Sequence, residues 1–573
     1  RPGTAIDVIK GASFATSVRD PIKLAGEIQF ATPIVLDGTS RIDVRTGLVT
    51  TGRYVDIDGA RVPVGDSGFK LEGGADDSTI RGLAFSEFRS DTPAIKLAGT
   101  AIDAVEGVSV EENIFGVSST GRLLSNSVGL AAEYADNLTV RDNVFAMSRE
   151  AGVSLGTNVT NATVIGNFVG TDSRGRNLAN VVGIELDGAG AGNVIGGDTA
   201  EESNLIEFNG IGVSVSDTTG TAASKNTVKG NAFERNGTGV EISGSSSEIV
   251  VEANTIVLGA PVDAQLGDGI VVSGTASAVT IGGAADSLGN VPGRNFIGTN
   301  ETTQLGLGNQ GSGVRVSSSG DTIEVLNNTI FGNNVAGGNE AGGITLEGLA
   351  GETTVEGNNI TANSGSGVFA TKGAEATIIS NVIQSNDGDG VTVQDGAVVT
   401  IGASASEAND DTVRLLANTI HSNGGYGIHV PKVSSIDGTT ELAQAFADFA
   451  GNSLAGNSLG NALNKYAAAP TISSANITTP NSYTGGLRVT FSGLTAGQVV
   501  SVYVGGQSGS RTYLGRVVAA GSTAVFVMSR QQQIDEGVDG EVYVGSVLSA
   551  TATTLGSPSE TSSLTSPFSV RRS

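Results

Sequence analysis

Cysteine is absent from the 573 residues, so neither a disulfide nor a thiolate metal centre can form. Tryptophan is absent as well, and only 8 tyrosines and 2 histidines are present. That leaves little of the usual equipment for stacking sugars or moving protons. Proline is sparse, at 12 residues, and no stretch keeps the apolar period of a long helix. No apolar run is long enough to span a membrane. Bases are outnumbered, 32 against 58 acids, for a net charge of −26. This balance argues against a nucleic-acid partner, which calls for a basic face. It suits an acidic surface that resists aggregation or gathers cations. The chain opens Arg1-Pro2 with no Met and no signal peptide, which reads as a processed, secreted protein located outside the cell or on its surface.

What the chain has in quantity is glycine, 84 residues, and a recurring asparagine phrase. In eleven successive copies between residues 113 and 418 the phrase starts with an Asn followed two residues later by Ile, Val or Phe. The fullest copies read N-x-I-x-x-N-x3-G-[IV]: Asn358 and Ile360, Asn381 and Ile383, Asn418 and Ile420. Successive copies lie 23 to 41 residues apart, a bare repeat plus loops of varying length. Such a period signifies a solenoid. Within a repeat, short β-branched stretches such as Val391-Thr392-Val393 alternate with Asn, Gly and Asp corners. Three strands per turn, stacked on the next turn, predict an all-β parallel β-helix. The Ile, Val or Phe after each Asn should stack inside as a ladder. The Asn itself is expected at the bend, where it tolerates left-handed geometry and bonds the local backbone.

The solenoid is assigned to residues 18–435, roughly 15 to 17 turns or about 75 Å of stacked strands. Residues 1–17 hold an apolar strand, Ala5, Ile6, Val8 and Ile9, that serves either as a cap or as a strand donated to a neighbour. Residues 436–468 form a linker or end cap, with a short amphipathic helix over Glu441–Phe449. Residues 469–573 alternate apolar positions (Leu487, Val489, Phe491; Val500, Val502, Val504; Val542, Val544) as a small Ig-like β-sandwich does.

Several phrases carry a resemblance. Gly166-Asn167-Phe168-Val169-Gly170-Thr171-Asp172 with Asn180 and Gly183-Ile184 is one; Asn193-Val194-Ile195-Gly196-Gly197 with Ser203-Asn204-Leu205-Ile206 is another; Arg294-Asn295-Phe296-Ile297-Gly298-Thr299-Asn300 is a third. These resemble turns of bacterial secreted right-handed parallel β-helix repeat proteins. The resemblance implies a right-handed β-helix followed by a β-sandwich, and a group that spans surface and matrix proteins, adhesins and carbohydrate-active enzymes.

Candidate sites are few. Asp56, Asp58, Asp387 and Asp389 lie in oxygen-rich corners, and Asn386-Asp387-Gly388-Asp389-Gly390 is similar to one calcium-binding nonapeptide turn, so structural Ca2+ is the one cofactor suggested. The competing reading is that Asp and Gly simply make turns. Asp410-Asp411 reads as a solvated loop, and His421 and His429 as structural. Tyr54, Tyr134 and Tyr426 are the aromatics to inspect for glycan stacking. The inventory therefore predicts a protein that is not an enzyme: a structural subunit of an extracellular assembly, self-associating head to tail through the Ala5–Ile9 strand. The alternatives are a glycan-binding adhesin or a polysaccharide lyase or epimerase.

Overall fold

The computed structural model describes residues 21–38, 40–42, 49–51, 54–257, 267–285, 289–300, 307–335, 341–348, 352–402, 416–430, 446–450, 453–455, 457–464, 471–477, 487–494, 496, 498–504, 512–528, 548–554 and 568–570. The expectations placed on Ala5–Ile9, Asp410-Asp411, Val542 and Val544 lie outside the described residues. Two compact units divide the chain, Arg1–Gln310 and Gly311–Ser573. Every described element is a strand or turn.

In the first unit the chain visits three parallel sheets in rotation, here called A, B and C. One coil runs from Leu83–Ser86 in sheet A through Pro93–Ala98 in sheet B to Ser109–Glu111 in sheet C. The next begins at Ile114–Phe115, which pairs parallel with Leu83–Ser86. The C-to-A corner is therefore only two residues long, and this is where the repeated Asn falls. Rotation through three parallel sheets is a right-handed parallel β-helix, as the sequence implies. Alternation sends Val110, Val140 and Val164 inward at zero exposure. Phe85, Phe115 and Phe145 stack along the axis, with ring centroids 5.1 and 4.6 Å apart.

The Asn ladder differs in detail from the expectation. Left-handed φ belongs to the residue before the Asn: Glu112 (54°), Asp142 (57°) and Ala253 (55°). The Asn is buried and acts as a rivet between coils. Asn143 Oδ1 accepts from the Asn113 amide at 2.9 Å and from Asn113 Nδ2 at 3.2 Å. Asn167, Asn204, Asn231, Asn254 and Asn295 repeat the contact in turn. Each side chain thus satisfies backbone that a tight corner would otherwise bury unpaired.

The second unit repeats this plan. Asn328, Asn358, Asn381 and Asn418 form the same ladder, with 2.8 to 2.9 Å between each amide and the next Oδ1. Ile360, Ile383 and Ile420 are in register beside it and fully buried. The second Asn of the repeat makes a parallel ladder at the A-to-B corner: Asn333, Asn363, Asn386, Asn423 and Asn457.

Past residue 435 the chain makes one more coil. Phe446–Ala450, Ser453–Ala455 and Gly460–Asn464 pair with Val398–Gly402, Thr419–His421 and Tyr426–Val430. The helix expected over Glu441–Phe449 is thus a strand from Phe446 onward, with Glu441–Ala445 outside the described residues. A strand pairs the open N–H and C=O groups of the last sheet edge, whereas a helix could only cover them. After this coil come two antiparallel sheets. One holds Thr471–Ile477, Leu487–Ser492 and Thr523–Met528; the other holds Gln498–Val504, Thr512–Val518, Leu548–Thr554 and Phe568–Val570. Leu487, Val489, Phe491, Phe526 and Met528 share one core with Val500, Val502 and Leu514, which makes the pair a sandwich.

Candidate functional site

The outer face of sheet B in the second unit gathers the chemistry that the sequence scatters. In Ser366–Thr371, Val391–Val393 and Tyr426–Val430, alternate residues point inward, and the others form an outward column. Register aligns Thr345, Phe369, Thr392 and His429 along it. Thr345, Phe369 and Thr392 are buried although they point away from the coil interior, while the His429 side chain remains 21% exposed.

Asp389 sits just before the Val391–Val393 strand and organises the site. Its Oδ2 accepts from Thr392 Oγ1 at 2.9 Å and lies 2.7 Å from His429 Nδ1. Its Oδ1 accepts from the Tyr426 amide at 2.6 Å. Gly425 makes this possible: a Cβ there would stand 2.1 Å from Asp389 Oδ1. Thr392 is in turn bonded to Ser366 at 2.9 Å. The Tyr426 ring packs on the imidazole, centroids 4.9 Å apart. A carboxylate at Nδ1 fixes the tautomer with the proton on that nitrogen. In that tautomer the lone pair is on Nε2. The same sheet carries an ionic group in which Glu347 receives Arg315 at 2.5 Å and Lys372 at 2.8 Å.

The remaining sequence candidates do not converge. Asp387 is exposed and its backbone amide bonds Asn363 O. The Asp56 carboxylate is occupied by the Ser119 amide and hydroxyl at 2.6 and 2.5 Å. Asp58 accepts from Ala60 N, two residues on, as a turn residue does. Among the described residues no three His, Cys, Asp or Glu side chains are grouped to hold a metal ion. Tyr54 is half-buried, and that burial, with Glu112 nearby, raises its pKa. Tyr134 stands at a left-handed corner (φ 49°). His421 reaches only Ser422. Sequence reasoning set His429 aside because it lacks a neighbouring catalytic phrase. No sequence signal marks the pair: Asp389 and His429 lie 40 residues apart in successive repeats, and the repeat equivalent of His429 is Thr392.

Carboxylates elsewhere are held in other ways. Burial raises the pKa of Glu185, on the outer face of sheet B in the first unit, against a Ser154 hydrogen bond and with Asp187 and Glu150 adding repulsion. Burial likewise raises Glu207, which pairs with Arg235, whose guanidinium lies 5.4 Å from the Phe208 ring centre.

The family described as periplasmic copper-binding protein (NosD) matches residues 28–258 and 247–486. No curated protein matches the chain. Among solved structures, similarity is found to the periplasmic alginate epimerase AlgG, at 14% identity over 74% of this chain and 78% of that one, TM-score 0.31. It is also found to the A-module of a mannuronan C-5 epimerase from Azotobacter vinelandii, at 14% identity over 72% and 91%, TM-score 0.20. A third is the catalytic domain of an α-1,3-glucanase, at 14% identity over 62% and 61%, TM-score 0.24. These values assign no activity to this chain. The chain's own residues, however, bring an imidazole and a carboxylate to 2.7 Å. The expectation that the protein is not an enzyme is corrected accordingly: it was drawn from a count of residues, and a count is blind to which of them meet.

Proposed function

The chain belongs to the NosD family, and we propose that it is a cell-envelope protein that acts on polysaccharide, with His429 as the proton-transferring group. The single observation that supports this reading is the Asp389–His429 pair, 2.7 Å apart, on a partly exposed imidazole packed against the Tyr426 ring. A carboxylate that orients an imidazole and stabilises its cation is the arrangement general-base catalysis requires. A saccharide chain lying across sheet B brings a C–H or O–H to Nε2. The imidazole takes that proton and becomes a cation, neutralised by Asp389, while the electron pair of the broken bond stays on the sugar carbon or oxygen. Arg315 and Lys372, paired with the single carboxylate of Glu347, leave one net positive charge on the same sheet for an acidic sugar, in a chain whose net charge of −26 is otherwise unfavourable to one.

The copper of the family description does not fit the residues present. Copper(I) calls for thiolate or thioether ligands and copper(II) for clustered imidazoles. The chain has no Cys and only two Met; Met528 is buried in the sandwich core. Its two His stand on strands of different sheets, and one already has Nδ1 committed to Asp389. The family's periplasmic description is in keeping with an envelope location, and among the described residues no helix is long and apolar enough to cross a membrane. The head-to-tail filament rests on Ala5–Ile9, outside the described residues, and has no structural support.

The test is incubation with neutral and uronate polysaccharides, read by reducing ends, by absorbance of unsaturated products and by NMR of sugar configuration. Turnover in the native protein that is lost in His429→Gln, with the melting temperature kept, is the expected result. Turnover that survives in His429→Gln, or its absence on every polysaccharide, overturns the proposal.

A further inference from the structure

A second site lies in the first unit, on sheet A. Thr255–Val257 and Phe296–Ile297 are neighbouring strands in which Thr255 pairs with Phe296 and Ile256 with Ile297. The two isoleucines are fully buried inside the coil, so Thr255 and Phe296, both half-buried, project from the outer face. They form the floor of a pocket of about 460 Å³, walled by Asn290, Val291, Pro292 and Arg294.

The pocket is built into the coil. Its wall is a turn in which the Arg294 amide bonds Val291 O at 3.2 Å, and it is tied to the previous coil by the Ala253 amide donating to Gly293 O at 3.0 Å. Gly293 permits that approach: a Cβ would meet Glu252 Oε2 at 2.8 Å and Gly283 Cα at 2.9 Å. The floor is equally constrained. Asn295, just before Phe296, accepts from the Asn254 amide at 2.9 Å in the buried ladder. A site preorganised on both sides spends little binding energy on ordering itself.

We propose that this pocket is a binding subsite for one sugar ring of a saccharide chain. The lining sets apolar groups (Ala253, Val291, Pro292, Phe296) beside Thr255, Asn290 and Arg294, and more of its surface is polar than apolar. A sugar ring has the same two sides, a C–H face that packs on an aromatic and an edge of hydroxyls. A wholly apolar ligand would cover the polar side of this lining without answering it. A small inorganic anion would leave the Phe296 face uncovered. The volume falls within the range of small-molecule sites, roughly 300 to 1,000 Å³. The ligand class follows from the function proposed above, but no residue of the His429 face takes part.

The absence of tryptophan supplies the experiment. Phe296→Trp makes a single fluorescent reporter on the floor, and Asn290→Trp a second one at the exposed rim should the first disturb packing. Each is titrated with neutral and uronate oligosaccharides to about 1 mM. The expected result is a saturable change with at least one oligosaccharide, weakened about tenfold by Arg294→Ala in the same background, as loss of a hydrogen bond to the ligand would do. No response from either reporter, or a response indifferent to Arg294→Ala, overturns the subsite. His429→Gln in the reporter background should leave the titration unchanged. A response without turnover in the native protein therefore sinks only the catalytic reading, and turnover without a response sinks only the subsite.

Discussion

Along the outer face of sheet B, the first unit presents Lys96, Ala131, Ser154, Glu185, Ser214 and Glu241 in one register column, all half-buried. The second presents Arg315, Thr345, Phe369, Thr392 and His429, of which the middle three are buried. Inside, both units have Asn rivets and stacked apolar columns, Phe85, Phe115 and Phe145 in the first and Ile360, Ile383 and Ile420 in the second. Inward positions must stack on their equivalents one coil away, and that holds them to a narrow set of residues. Outward positions answer to solvent and ligand, so one scaffold carries a mixed polar column in one unit and an oriented imidazole in the other.

The comparison can be broken hardest from within. Asn381→Ala removes the acceptor of both the Asn358 amide and Asn358 Nδ2, and strips the donor that serves Val355 O and Ile379 O. Buried partners left unpaired cost about 1–3 kcal/mol each, so a loss of about 3 kcal/mol in urea unfolding is expected. Asn143→Ala should cost as much in the first unit. A loss below about 0.5 kcal/mol in either would show that the rivets are not what the two units share.

Asp389→Asn is the sharper cut on the outer face. It disturbs the contacts to Thr392, Tyr426 and His429 at once, and a loss of about 1–2 kcal/mol is expected together with loss of turnover. The corresponding change in the first unit, Glu185→Gln, should be neutral or stabilising at neutral pH. Its folded pKa is raised, so the ionised carboxylate carries a penalty at pH values above the folded pKa that disappears as pH falls below the unfolded value. Equal destabilisation by the two substitutions would erase the distinction between the columns.

Ser148 offers a gain. It takes the place of an Asn in the A-to-B ladder, its amide bonding Asn180 Oδ1 at 2.9 Å while its buried hydroxyl has no partner. Ser148→Asn should extend the ladder toward Asn126 and raise stability by about 1 kcal/mol, read as a higher melting temperature. A fall would mean that the corner cannot admit the larger amide.

The smallest effect concerns acid. Burial pushes the Asp172 pKa up, but Arg176 and the amides of Arg174 and Arg176 outweigh it and the net shift is downward. Its stabilising contribution is present above the unfolded pKa and lost as pH falls through the folded one. Asp172→Asn should therefore flatten the acid limb of the stability profile, and an unchanged limb would exclude the contribution.

How much of this was readable in advance varies by residue. Ile360, Ile383 and Ile420 declared themselves as a ladder because burial of a repeated position leaves a period in the sequence. The function of the repeated Asn was half legible. Its place at the corner was foreseen, but the left-handed φ lies one residue earlier, where Gly166, Gly230, Asn327 and Asp142 suit it and Glu112 and Ala253 do not, so no single residue type marks it. The sandwich core was legible in the alternation of Leu487, Val489 and Phe491. The strand Phe446–Ala450 was not, because its mix of Phe, Ala and Asp suits helix or strand and only the unpaired edge before it decides.

Composition and period by themselves determined a cysteine-free, acidic, all-β coil, because each coil must satisfy its backbone and core against the next and so writes the same residues at the same spacing. Tertiary structure alone decided which outward residues meet. Asp389 and His429 are 40 positions apart, and nothing local marks them as partners; one circuit of the helix closes that separation to 2.7 Å. Thr255 and Phe296 are likewise brought together only when the intervening segment folds back and pins Gly293 against the coil. Contacts that repeat every turn leave a trace in the sequence, whereas contacts made once, across a turn of variable length, leave none.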